Sequence, residues 1–138
     1  MNPLDHLSKK GKSYIKQLLQ VAMADGQLDE KEFKNLMNTA HRFDFSEEEV
    51  LQIRHNLDTI PFTPPTGTKD TFHLIFDLAW MMMVDGHVYE KEMLMCENLA
   101  MRLGFAPEMV ADLVGFIKQN IAVGATADET YQKLEKML

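Results

Sequence analysis

Two stretches of the chain, Asp25 to Phe33 and Asp85 to Met93, share the pattern Asp-Gly-x-aliphatic-x-Glu-Lys-Glu-apolar. Each crowds carboxylates into a few residues between two apolar segments, and carboxylate oxygens are the ligands that hard divalent cations prefer. The first stretch offers Asp25, Asp29, Glu30 and Glu32; the second offers Asp85, Glu90 and Glu92, with the His87 imidazole as a nitrogen donor or simply a loop histidine facing water. These eight residues are the candidate ligands for calcium, magnesium, manganese or zinc. The first stretch, richer in oxygen, is the better match for a hard cation.

The same residues also have a purely structural reading. Gly26 and Gly86 suit the left-handed conformation that ends a helix, and Asp29 can cap the next helix while Glu32 closes a capping box. Leu28 with Phe33, and Val88 with Met93, stand five apart as hydrophobic staples. What this leaves over is the aspartate before each glycine. A carboxylate where a helix ends opposes the helix dipole by a few tenths of a kcal/mol or more. Either the free amides opening the following helix offset it, or a bound cation does. An EF-hand is excluded, because its first and third loop positions would fall on Val21 and Met23, or on Met81 and Met83, none of which ligates a hard cation.

Other reactive residue types have ordinary explanations. His73 and Asp77, one helical turn apart, suit a hydrogen-bonded pair or two ligands without an evident third. Cys96 sits on the apolar side of its helix, which predicts a buried thiol, and the eleven methionines at helical spacing read as core filler. Glu47 to Glu49 read as the favourable first turn of a solvated helix. The chain has no nucleophile elbow, no phosphate-cradling glycine loop and no His-Glu-x-x-His motif, so the expectation is a binding module and not an enzyme.

The elements that position these residues follow from an internal repeat. Residues 23 to 50 align without a gap on residues 83 to 110, an offset of 60 with twelve identities, among them Asp25/Asp85, Gly26/Gly86, Glu30/Glu90, Glu32/Glu92 and Arg42/Arg102. Apolar residues recur at helical spacing in three segments of each copy, for example Tyr14, Ile15, Leu18 and Leu19, then Phe33, Leu36, Met37 and Ala40, then Val50, Ile53 and Leu57. Ser46 with Glu49 and Thr126 with Glu129 have capping-box spacing, and Pro107 suits a first helical turn. The expected fold is all-α: a single domain of about seven helices, from a duplicated three-helix unit with pseudo-two-fold symmetry plus a C-terminal helix. The units run about 13–59 and 69–120, the proline-rich stretch 60–68 links them, and the last helix covers 127–138. The helix around Phe72 to Val84 is apolar on nearly every side and should be central, whereas its counterpart keeps Lys12, Lys16, Gln17 and Gln20.

At 138 residues and 46% hydrophobic the chain can bury a sizeable core. Its formal net charge of -7 repels phosphate backbones, which argues against nucleic acid and for cations or basic protein surfaces. The longest apolar run falls short of a membrane span. One cysteine and an N-terminus without a signal-peptide pattern predict a cytoplasmic location.

The duplicated ADG and VDG segments, each followed by an aliphatic residue and Glu-Lys-Glu in an acidic helical chain, resemble the TerB-like tellurite-resistance family from about Tyr14 to Val114. The resemblance implies an all-helical fold and a cytosolic part in metal-stress or membrane-associated protein complexes, with Asp25, Asp29, Glu32, Asp85 and Glu92 proposed to bind divalent cations. The second copy departs from the acidic pattern, carrying Tyr89 where the first has Asp29.

Overall fold

The computed structural model of the chain describes residues 4, 6–23, 28, 30–85 and 90–137, with the side chains at 84, 85, 91 and 92 outside that description. Among the described residues there are seven α-helices and no strand: α1 (Lys9–Ala22), α2 (Glu30–Arg42), α3 (Glu47–His55), α4 (Thr68–Asp85), α5 (Glu90–Arg102), α6 (Val110–Ala122) and α7 (Ala127–Met137). Two short 3-10 turns, Leu57–Thr59 and Pro107–Met109, complete the set. The chain divides at the proline-rich linker into two compact units, Met1–Pro65 and Thr66–Leu138.

In the first unit, α1 packs on α2 and on α3. The Ser8 side chain opens α1 by accepting a hydrogen bond from the Gly11 amide at 3.0 Å. Gly11 is required for closeness: a Cβ there would lie 2.7 Å from the Phe45 ring and 2.7 Å from Ser8 Oγ. The Phe45 ring therefore seats directly on the α1 backbone. Ile15, Leu18, Leu19, Leu36, Ala40, Val50 and Ile53 form the buried core around it. Polarity alone misjudged α1, since Ser13 and Gln17 are buried along with its apolar residues. The linker explains Ser13: Thr63 donates its amide to Ser13 Oγ at 2.8 Å, and Lys16 donates to the Ile60 carbonyl, so the linker's first residues are strapped to α1.

In the second unit α4 is the hub, packed by α5, α6 and α7 as its all-round apolarity predicts. Phe72, Ile75, Leu78, Ala79 and Met82 of α4 meet Cys96, Leu99, Val110, Ile117 and Leu134 in a single buried core. Cys96 replaces Leu36 of the first unit and is equally inaccessible, as the repeat register predicts. Strapping recurs at the same place, for His73, which matches Ser13 at the offset of 60, takes up Asp128 of α7.

The repeat is visible in the helix ends. Both α2 and α5 stop in one turn type, where Phe45 and Phe105 donate amides to Ala40 and Ala100 at 3.1 Å, and Asp44 and Gly104 donate to His41 and Met101. Asp44 (φ 59°) and Gly104 (φ 94°) carry the left-handed backbone this closure demands. The third helices then diverge: Ser46 and Glu49 form a full capping box on α3, whereas Ala106 and Pro107 in the second unit start a 3-10 turn.

Candidate functional site

The candidate residues flank the two segments that join α1 to α2 and α4 to α5. Helix α1 runs out at Met23, whose amide donates to the Leu19 carbonyl at 2.9 Å, and α2 begins at Glu30. Glu30 and Glu32 both stand in the first turn of α2, where the helix dipole favours negative charge. They do not share a face. Residues two apart on a helix point to different sides, and Glu30 is exposed whereas Glu32 is only 1% exposed. Glu30 and Glu32 therefore present no shared face to a single ion. Asp25 and Asp29 themselves lie outside the described residues, as does Gly26.

At the second junction α4 ends at Asp85 and α5 begins at Glu90, which is exposed. His87, Gly86, Val88 and Tyr89 lie outside the described residues, and so do the Asp85 and Glu92 side chains. Among the described residues no three histidine, cysteine or acidic side chains gather closely enough to hold a metal ion. The exclusion of an EF-hand holds at its first position, because Val21 and Met81 are buried core residues.

A groove opens on the surface beside the first junction. Leu28, Phe33 and Met37 supply its apolar lining, and Glu30 and Lys34 bring charge to it. Leu28 and Phe33, which their spacing suits to a hydrophobic staple, both line it.

Outside the junctions, histidines couple to carboxylates over long sequence distances. His73 Nε2 lies 3.0 Å from Asp128 Oδ1, and Lys69 Nζ lies 3.5 Å from the same oxygen. The hydrogen bond from His73, aided by the Lys69 charge, holds the Asp128 carboxyl below its usual range. His6 Nε2 lies 2.9 Å from Glu49 Oε2. Glu49 is also held low, first by the Ser46 amide of its own capping box and then by His6. Glu129 is lowered by the Thr126 amide in the same way. Sequence spacing found both capping boxes but neither histidine contact, since nothing local relates residues 43 or 55 positions apart.

No family model, no curated protein and no solved structure matches this chain. No helix among the described residues is long and apolar enough to cross a membrane.

Proposed function

We propose that the chain is a non-enzymatic TerB-like binding module whose acidic segment between α1 and α2 holds a divalent cation through Asp25, Asp29 and Glu32, in a cytosolic response to metal or tellurite stress. The observation that carries this reading is the burial of Glu32. Taking a carboxylate out of water is costly unless it is paired, and the partial charge of the α2 amides offsets part of that cost. Glu32 adds to the negative charge of Asp25, Asp29 and Glu30 nearby in the chain, and a dication relieves that repulsion. By the repeat, Asp85 and Glu92 form the second, oxygen-poorer counterpart, with His87 as its nitrogen donor.

The test is a set of thermal melts on chelator-stripped protein, with calcium, magnesium, manganese or zinc added in turn. A bound cation raises stability by mass action, by about 2.7 kcal/mol at a hundredfold excess over the dissociation constant. Asp25→Asn and Glu32→Gln abolish the rise if the first segment is the site; Asp85→Asn abolishes it if the second is. Melts that no metal shifts eliminate the cation.

A second reading is favoured by the groove. Leu28, Phe33 and Met37, with Glu30 and Lys34 beside them, fit a short amphipathic segment of a protein partner, such as a subunit of a membrane-associated complex, with the acidic segments serving only as helix caps. Under that reading Phe33→Ser abolishes partner capture while the melts stay indifferent to metal.

A further inference from the structure

The repeat provides an internal control for the outer surface of α5. The buried sides of α2 and α5 match position for position, with Leu36 and Cys96, and Ala40 and Ala100, fully enclosed. The outer sides keep Asn38/Asn98 and Arg42/Arg102 in common but differ beside them. Where α2 exposes Lys34 and His41, α5 exposes Leu94 and Met101, at 56% and 43% of their surface. The fold is satisfied with polar residues at these places, so their apolar character on α5 has another cause. Met109 is also exposed, on the 3-10 turn that packs against α5.

We propose that this stripe is the contact between two copies of this chain, with their α5 helices side by side and parallel about a two-fold axis. Leu94, Asn98 and Met101 follow the four-then-three spacing of the seam in a paired helix, with Asn98 at the position where one polar residue selects a two-stranded, parallel, in-register pairing. The two Asn98 amides meet across the axis. Leu94 and Met101 then each pack against their own copies.

Charge selects the same arrangement. In a parallel pair the flanking residues interact five apart, which sets Glu97 of one copy beside Arg102 of the partner subunit, twice by symmetry. An antiparallel pair would instead set Glu97 against Glu97. A seam of two helical turns buries less than a standard interface, so the association is weak, with a dissociation constant on the order of micromolar or above. It uses neither acidic segment.

Sedimentation velocity over a concentration series of the full chain tests this. Wild type passes from monomer to dimer. The double variant Leu94→Lys with Met101→His installs the residues that the first unit already carries at these places, so folding is preserved, and it raises the dissociation constant at least tenfold. Glu97→Arg and Arg102→Glu each weaken the dimer, and combining them restores it; circular dichroism melts verify that every variant is folded. A wild type that stays monomeric at about millimolar concentration overturns the proposal, as does a dimer indifferent to Leu94→Lys with Met101→His. A monomer that instead captures a different protein through this stripe overturns it as well.

Discussion

Among the described residues, Asp44 shares its left-handed backbone with Gly104 and Gly124, and the three turns close in the same way. An L-residue with a side chain pays about 1–2 kcal/mol there, partly relieved for Asp by local hydrogen bonding. Asp44→Gly should therefore leave stability level or raise it by up to about 1 kcal/mol. Gly104→Ala should lower it by about 1 kcal/mol, and since a Cβ at that place meets nothing within 4 Å the loss is entirely conformational. Urea titrations of the two variants measure both; a stabilising Gly104→Ala would contradict the left-handed assignment. These three turns were not read from the sequence, which drew attention to Gly26 and Gly86 because their motif is repeated and acidic. Asp44 hides the equivalence, being the one non-glycine of the three.

Protonation belongs to the same scale. Asp128 has a lowered carboxyl pKa in the fold, so its contribution is complete above its unfolded value, about 3.9, and fades as the pH drops through the lower folded value. Asp128→Asn should reduce the melting temperature at neutral pH, and the gap to wild type should close as the pH falls through the lowered folded value. A gap that persists in acid would mean that Asp128 acts by something other than its charge. The carboxyl is largely exposed, so the effect is small.

Helices were the most legible elements. The capping boxes at Ser46 and Thr126 each show both reciprocal hydrogen bonds or their equivalents, with Thr126 Oγ1 accepting from the Glu129 amide at 3.1 Å and the Glu129 carboxylate accepting from the Thr126 amide at 2.9 Å. Such boxes are local, so four consecutive residues suffice to read them. Thr126→Ala should cost about 1 kcal/mol and loosen α7, detectable as faster amide exchange over residues 127–137 than in wild type; unchanged exchange there would show that Leu134 and the Phe72–Tyr131 ring contact hold the helix unaided. The candidate site was legible in residue type but not in arrangement. Counting carboxylates grouped Glu30 with Glu32, whereas the start of α2 at Glu30 turns one to solvent and the other inward. Burial of Gln17 and Ser13 was equally hidden, because the linker that covers Ser13 arrives from 50 residues away.

At the scale of the whole chain, the offset of 60 anticipated that α2 and α5 would share both boundaries, and Glu30–Arg42 and Glu90–Arg102 do. The linker was equally plain from its prolines. Phe62 is exposed within it, so limited chymotrypsin digestion should cut first after Phe62 and yield two fragments of similar size; a first cut within α4 or α5 would contradict the division into units. The lone tryptophan, Trp80, and the lone thiol, Cys96, both fall in the second unit. The indole and the thiol are thus both confined to one half of the molecule. Indole emission and thiol trapping record the opening of that half alone, while far-ultraviolet ellipticity sums over both. The separation or coincidence of those curves on one unmodified sample is a direct reading of how cooperatively the duplicated halves melt.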